Sequence, residues 1–242
     1  TIFSSPFDAT AVSFLEKLQA PAYKIASFEL IDLPLIARVA QTGKPLILST
    51  GMANKQEIQE AIDTARSNGC DELIVLHCVS GYPAPADQYN LKTIIDISQR
   101  FNTLSGLSDH TIDNATAVAA AALGACVIEK HVTLDRAGGG ADDSFSIEPS
   151  ELSQLCRDTN TAWQGMGKVN YERAESEKSN AQFRRSLYVV SNIAEGEAFT
   201  EENIKSIRPG FGMAPKLLNK IIGKKAAKNL KKGMALKPEL IK

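Results

Sequence analysis

Short apolar runs alternate with amphipathic segments along the first two thirds of the chain. Each run has the length of a buried β-strand, and each is followed by apolar residues at helical spacing. The six runs predicted to be strands are residues 1–5, 23–26, 45–49, 72–79, 103–108 and 126–131. Strands and helices that alternate at this spacing predict a parallel sheet with right-handed crossovers.

Capping residues mark where the predicted helices begin and end. Asn54 and Glu57 have the spacing of a capping box, and Gly69 is placed to end the same helix in a left-handed conformation. The other residues predicted to cap helices at their N-termini are Asp32, Asn90 and Ser150. Helices with these boundaries fit between the predicted strands.

The predicted strands are apolar on both faces but end in polar residues, among them Ser49, Ser108 and His131. Parallel strands with functional side chains at their carboxyl ends are typical of a (β/α)8 TIM-type barrel, which has eight strands. Six are predicted here, and the sequence begins inside one of them. We therefore expect a barrel whose first two βα units lie ahead of Thr1. Without them, both edges of the sheet would be exposed.

The pattern changes after about residue 168. Residues 169–185 are charged and lack an apolar period, which is typical of an exposed linker. Residues 186–242 hold short apolar elements broken by Gly and Pro, which predicts a small β-rich domain. Residues 1–168 are thus predicted to form the partial, catalytic barrel. The lysines of the small domain are interpreted as a solvated face, because no aromatic residues lie between them.

Composition excludes several classes of partner. The net charge is −1 and the pI is about 6.3, so nothing indicates binding to nucleic acid or to a membrane surface. No apolar run approaches the roughly 18 residues of a membrane span, and no signal peptide is visible. The four cysteines lack CxxC spacing, which favours reduced thiols in a cytoplasm over disulfides or structural zinc. Cys78 and Cys126 lie in predicted strands and are interpreted as small apolar residues.

Two histidines, His110 and His131, stand at the ends of adjacent predicted strands. Neutral imidazoles in such positions can bind one divalent ion in an oxygen-rich pocket, and a metal with open positions suits carbonyl chemistry. The alternative is that each histidine only caps its strand through a hydrogen bond. His77 lies earlier in its strand and is interpreted as a core residue.

Lys24 lies in the apolar run YKIAS, where a lysine is costly unless it is paired or functional. It would bind an anionic substrate or form a Schiff base, or it would extend to the rim as a structural residue. Small hydroxyl residues end five strands, and together with Lys24 they can hold a phosphate or a carboxylate. The Gly-rich loop 136–143 is predicted to be flexible enough to cover a ligand, and its acids are candidate bases.

The chain resembles the sialic acid synthase family in the segments FSSPFD, PAYKIASFE, GKPLILSTGMA, HCVSGYPAP, GLSDHT, IEKHVTLD, SFSIEP, RSLYVV and IRPGFG. The resemblance implies a (β/α)8 barrel followed by a small antifreeze-like (SAF) domain. It also implies the condensation of phosphoenolpyruvate with an acetamido sugar to a nine-carbon 2-keto acid. YKIASFE and the SFSIEP stretch are most similar to the branch of the family that makes pseudaminic acid from a 2,4-diacetamido-2,4,6-trideoxy-altrose.

The resemblance also implies roles for individual residues. His110 and His131 would bind Mn²⁺ or Mg²⁺. The residues implied to surround phosphoenolpyruvate are Lys24, Ser27, Ser5, Ser49, Ser80 and Ser108. Those implied to face the sugar or a metal-bound water are Glu29, Tyr82 and Asp142. In a domain-swapped homodimer, Arg208 would reach the sugar in the partner's barrel, and Phe183 would pack on that sugar.

Other functions remain open at this stage. An N-acetylneuraminate or legionaminic acid synthase would use the same chemistry on another sugar. A Schiff-base aldolase would use Lys24 covalently and need no metal. A non-catalytic binding role, including ice binding, rests on fold analogy alone.

Overall fold

The computed structural model describes residues 1–242, which form two compact units, Thr1–Lys168 and Val169–Lys242. The first unit is a parallel α/β structure whose five strands have the spatial order β1-β2-β3-β4-β5 and curl as half a barrel. Its strands are β1 (Tyr23–Ile25), β2 (Leu46–Ser49), β3 (Leu73–Cys78), β4 (Leu104–Asp109) and β5 (Ile128–Lys130). Its helices are α1 (Ala9–Lys17), α2 (Leu33–Ala40), α3 (Lys55–Ser67), α4 (Thr93–Phe101), α5 (Ala115–Ala122) and α6 (Pro149–Met166). The barrel-type fold class is thus confirmed.

The first predicted strand is wrong as a full strand. Within residues 1–5 only Ser4 pairs with the sheet, through one isolated parallel bridge to Tyr23. The carbonyl of Ser4 accepts the backbone N–H of Lys24 at 3.3 Å. A segment with one neighbour has few backbone partners, and Pro6 supplies no N–H to extend the pairing.

Helix capping follows the sequence in two cases and departs from it in two others. Asn54 caps α3 in a capping box with Glu57, and Asp32 caps α2. The prediction of Asn90 as an N-cap is wrong, because Asn90 has a left-handed backbone and α4 begins at Thr93. Ser150 is also wrong: Pro149 occupies the first turn of α6, so Glu148 is the N-cap.

The core of the first unit lies between the sheet and its helices. Tyr23, Ile25, Leu46 and Leu48 on the first two strands are fully buried against α2 and α3. The close contact between β4 and β5 requires a glycine, because a Cβ on Gly106 would lie 2.4 Å from the carbonyl oxygen of Val127. Such contacts set the carboxyl ends of all five strands at one edge of the sheet, where barrel enzymes carry their active sites.

The second unit has its own hydrophobic core. Strand β6 (Ser186–Val189) pairs antiparallel with β7 (Ile204–Ile207), and isolated bridges add further short pairings. Its two short helices are α7 (Glu175–Lys178) and α8 (Leu218–Ile221). Ten buried residues, Phe199 and Leu236 among them, pack into one cluster.

All four cysteines are free thiols. Cys70 and Cys78 are buried, whereas Cys126 and Cys156 are exposed. The prediction that Cys126 is a buried strand residue is therefore wrong, because β5 begins only at Ile128 and lies at the edge of the sheet. None of the helices combines the length and the apolar composition that a membrane span needs.

Candidate active site

A cavity of about 350 Å³ lies at the carboxyl edge of the parallel sheet. Eight of the residues predicted from sequence line it: Ser5, Lys24, Ser27, Ser49, Tyr82, Ser108, His110 and His131. They come from the segment before α1, from all five strands or from the loops that follow them. The curl of the sheet thus brings residues that are distant in sequence into one polar site.

Lys24 supplies the positive charge of this cavity. Its residue is 6% exposed, its ammonium donates to the carbonyl of Ile25 at 3.2 Å, and Nζ lies 3.5 Å from a carboxylate oxygen of Glu129. Burial lowers the pKa of Lys24, while the charge of Glu129 acts in the opposite direction. Few protein acceptors surround the ammonium, so it is placed to bind an anion.

Glu129 was not predicted as a site residue, yet it lines the cavity. Its carboxylate accepts the hydroxyl of Ser108 at 2.7 Å on the oxygen that faces Lys24. Strand alternation was the available signal, because Glu129 precedes His131 by two positions and therefore shares its face of β5. Cys78 also lines the cavity, and burial raises the pKa of its thiol, so the thiol is the protonated form at neutral pH.

Three hydroxyls complete the polar wall beside Lys24. The hydroxyls of Ser27 and Ser80 lie 3.0 Å apart. Gly51 makes this approach possible, because a Cβ there would lie 2.3 Å from Cβ of Ser27 and 2.7 Å from Oγ of Ser80. The hydroxyl of Ser49 is buried and has no hydrogen-bond partner. An unpartnered buried hydroxyl is costly, which points to a ligand as its partner.

His110 is held rigidly at the end of β4. Its Nδ1 lies 2.7 Å from the carbonyl oxygen of Val79, so Nδ1 carries the proton and Nε2 is free. Its backbone N–H donates to the phenol of Tyr89 at 2.7 Å. Burial lowers the pKa of His110, which favours the neutral, ligating imidazole. His77, by contrast, bonds to the carbonyl of Tyr89 and does not line the cavity, as expected of a core residue.

His131 lies beside His110, with ring centroids 5.3 Å apart. Its Nδ1 is 3.3 Å from a carboxylate oxygen of Asp142. Two aromatic rings enclose the pair: Tyr82 lies 4.3 Å from His110, and Phe145 lies 5.2 Å from His131 between ring centroids. Contacts on both sides therefore set the orientation of both imidazoles.

The orientation of the two imidazole rings fits the binding of a divalent metal. Both Nδ1 atoms face an oxygen, so each ring presents Nε2, which is the arrangement found around metal-bound histidines. No group of three or more His, Cys, Asp or Glu side chains is close enough to hold a metal ion. A metal here would have two protein nitrogens, and its other positions would be open to substrate or water.

The loop that carries Asp142 is anchored at several points. Asp143 accepts the hydroxyl of Thr133 and the backbone N–H of Gly140, each at 2.6 Å. The guanidinium of Arg136 donates to the carbonyl of Ser146 at 3.0 Å and pairs with Glu151. These bonds tie the Gly-rich segment to α6 and hold Asp142 beside His131.

Five predicted residues do not line the cavity. Two of them, Ser80 and Asp142, contact the lining residues Ser27 and His131. The other three are Glu29, Phe183 and Arg208. Glu29 is in a 3-10 turn after β1, where one of its carboxylate oxygens is buried without a partner. Phe183 and Arg208 belong to the second unit, and both are exposed. Arg208 forms no salt bridge.

A lysine, several hydroxyls and paired imidazoles meet at the carboxyl edge of the parallel sheet, which is where barrel-type enzymes carry their active sites. The NeuB family model matches residues 1–171, and the SAF domain model matches residues 184–242. The chain therefore belongs to the NeuB family, the family of the sialic acid synthases, and it carries a SAF domain.

Individual relatives are similar over most of the chain. Pseudaminic acid synthase of Helicobacter pylori is 40% identical over 234 residues, which are 95% of this chain and 68% of the relative. N,N'-diacetyllegionaminic acid synthase of Campylobacter jejuni is also 40% identical, over 94% of this chain and 69% of the relative. A solved spore coat polysaccharide biosynthesis protein of Bacillus subtilis is 32% identical, with a TM-score of 0.66, and the match covers 99% of this chain and 73% of that one. The two synthases are enzymes, and so is this protein.

Proposed function

We propose that the protein is a pseudaminic acid synthase, which condenses phosphoenolpyruvate with 2,4-diacetamido-2,4,6-trideoxy-altropyranose and releases phosphate. The observation that carries this proposal is the cavity in which Lys24, the hydroxyls and the two histidines meet. Relatives named pseudaminic acid synthase support it at 40% identity. A diacetyllegionaminic acid synthase has the same identity, so the choice of sugar rests on the YKIASFE and SFSIEP segments.

Phosphoenolpyruvate would occupy the part of the cavity around Lys24. The ammonium offsets the charge of its carboxylate and phosphate, and the hydroxyls of Ser27, Ser49 and Ser80 donate to their oxygens. Ser5 and Ser108 lie at the same edge and extend this set of donors. Glu129 holds Ser108 and balances the charge of Lys24.

His110 and His131 would hold Mn²⁺ or Mg²⁺ through their free nitrogens. Such an ion acts as a Lewis acid that makes the aldehyde carbon of the open-chain sugar more electrophilic. Tyr82 and Phe145 keep the imidazoles in place and limit the access of water to that side of the cavity. The oxygen partners of both Nδ1 atoms fix the tautomer that the ion requires.

Each step of the proposed condensation needs a particular side chain. The methylene carbon of phosphoenolpyruvate attacks the aldehyde carbon of the sugar, and water adds to the carbon that bears the phosphate. Asp142 is positioned beside His131 to accept the proton of that water, with Glu29 and Tyr82 as candidate contacts to the sugar. The resulting tetrahedral intermediate expels phosphate by cleavage of its C–O bond, and Lys24 stabilises the departing anion.

Two further parts of the proposal concern the assembly and the location of the protein. Arg208 and Phe183 would complete the sugar site of a partner in a domain-swapped homodimer. The exposure of Arg208 and its lack of an ion pair support this role, because its guanidinium is free to bind the acetamido group. The four free thiols are in keeping with a reducing cytoplasm.

The test is a phosphate-release assay of the full-length protein with phosphoenolpyruvate, Mn²⁺ and a panel of acetamido sugars. We expect release only when both substrates are present, with the diacetamido altrose as the best acceptor, and loss of release with a chelator. The variant His110→Ala plus His131→Ala should lose metal-dependent turnover. His77→Gln is the matched control and should retain it, because His77 lies outside the cavity.

Two results would contradict parts of the proposal. Turnover of N-acetylmannosamine alone would overturn the choice of sugar and leave the chemistry intact. A covalent adduct on Lys24 after borohydride treatment with substrate would indicate a Schiff-base aldolase, which the lowered pKa of Lys24 favours. Our proposal gives Lys24 an electrostatic role and predicts no such adduct.

A further inference from the structure

A buried ion pair joins the two strand ends that carry the histidines. The ammonium of Lys130 lies 2.9 Å from a carboxylate oxygen of Asp109. The side chains are 4% and 0% exposed, which makes this the most deeply buried salt bridge of the protein. Neither residue was predicted to have a role, and neither has one in the reaction described above.

Every polar atom of this pair has a partner. The ammonium also donates to the carbonyl oxygens of Thr111 at 2.6 Å and Asp113 at 2.9 Å, which accounts for its three protons. The second oxygen of Asp109 accepts the backbone N–H of Thr111 at 2.9 Å. The pair therefore ties β4, β5 and the loop after His110 into one network.

The location of the pair relates it directly to the histidines. Asp109 and Lys130 are partners in the parallel register of β4 and β5. Asp109 immediately precedes His110, and Lys130 immediately precedes His131. The preceding register pair, Ser108 and Glu129, meets inside the cavity, and successive side chains alternate between faces. The side chains of the ion pair thus point to the opposite face from Ser108 and Glu129, one residue from each imidazole, and Lys130 also contributes to the cavity lining.

We propose that the Asp109–Lys130 pair is a positioning device that sets the separation and the ring orientation of His110 and His131. This inference rests on the function proposed above, in which the two histidines hold a divalent ion. A buried ion pair contributes little net stability, because the loss of hydration offsets the attraction between the charges. An ion pair in which every donor and acceptor has a partner instead fixes one register between the segments that it joins.

The informative variant replaces both charges by apolar residues, Asp109→Leu plus Lys130→Met. Either single substitution would leave an unpaired buried charge and lower stability for that reason alone. The double variant removes the register constraint without that penalty. The matched control is Glu16→Leu plus Lys44→Met, which removes another salt bridge of the first unit that lies outside the cavity.

Two ligands are measured on each protein by calorimetry: Mn²⁺ alone and phosphoenolpyruvate alone. The Asp109–Lys130 double variant should bind Mn²⁺ roughly tenfold or more weakly, because misoriented imidazoles should lose affinity by about as much as ligating histidines that lose a hydrogen-bond partner. Its affinity for phosphoenolpyruvate and its near-UV circular dichroism should match those of the wild type, because neither Asp109 nor Lys130 forms a bond with the side chains of Lys24, Ser27 or Ser49. The control pair should leave both affinities unchanged.

The possible failures are distinguishable. If the wild type binds Mn²⁺ and the double variant binds it equally well, the positioning role is wrong and the proposed function stands. If the double variant loses both ligands together with its near-UV spectrum, the pair serves the fold alone and the inference is overturned. If a variant that lacks both histidines binds Mn²⁺ as tightly as the wild type does, the metal site of the proposed function is wrong and the inference falls with it.

Discussion

Lys24 illustrates how function and stability oppose each other at a single residue. A charged ammonium has been removed from water on the inner wall of the sheet, with a half-exposed carboxylate 3.5 Å away as its only charged partner. Such a position is unfavourable for folding in the absence of an anion. It suits a group whose task is to bind one.

The substitution Lys24→Met should therefore raise stability and abolish binding of phosphoenolpyruvate. Burial lowers the pKa of Lys24 in the folded protein, so the folded state binds this proton less tightly than the unfolded state does. The penalty is complete below the folded-state pKa and is relieved as the pH rises from that pKa towards the ordinary lysine value. We expect a higher unfolding midpoint for the variant at pH 7, and a smaller difference at pH 10.

The control for this experiment is Lys44→Met. Lys44 is more exposed and pairs with Glu16, so its loss should leave stability unchanged or slightly lower. Thermal unfolding across the pH range measures both variants, and calorimetry measures binding of phosphoenolpyruvate. A Lys24→Met protein that is less stable than the wild type at pH 7 would mean that Glu129 stabilises the ammonium more than burial penalises it.

At the scale of elements, the structure shows which of the residues predicted to cap a helix do so. Asn54 accepts the backbone N–H groups of Gln56 and Glu57 at 2.8 and 3.1 Å, and Glu57 bonds back to the N–H of Asn54. Ser150 has the same preference for a cap but lies inside the first turn, where it bonds to no cap position. Local composition identified both helices, whereas the geometry of the preceding residues decided which residue caps.

Asn54→Ala should destabilise the protein by about 1 kcal/mol, the usual effect of removing an N-cap side chain. Ser150→Ala should change stability by less than about 0.5 kcal/mol, because it removes no capping bond. Urea unfolding measures both. Equal losses for the two variants would show that Ser150 has a capping role that its position in the helix does not indicate.

At the scale of the whole molecule, the chain divides into two units with separate cores. Every residue from 163 to 180 is exposed. The segment bears no residue of either core, so cleavage there removes no packing from either unit. This division agrees with the two family models, which cover the units separately.

Limited digestion with trypsin should therefore cut first at Lys168, Arg173 or Lys178. Mass spectrometry should detect two resistant products that correspond to the two units. The variant in which these three residues are replaced by Gln should resist cleavage under the same conditions, and replacement of Arg66 by Gln should not alter the digestion. Early cuts inside the parallel sheet would contradict the independent packing of the units.

The sequence by itself determined the alternation of strands and helices, the barrel class and most of the residues that line the cavity. These features depend on local patterns: apolar runs, capping spacing and polar residues at strand ends. Residues 1–5 were predicted as a strand for the same reason, but a strand also requires several consecutive residues paired with a neighbouring strand, and only Ser4 is paired.

Only the tertiary structure decided which side chains meet. Ser27 and Ser80 are 53 positions apart, and their contact depends on the absence of a side chain at Gly51. Glu129 reaches Lys24, and Lys130 reaches Asp109, because the register of β4 against β5 and the curl of the sheet bring them together. Local sequence carries no record of register between strands, since a shift by one residue would exchange the faces of every side chain.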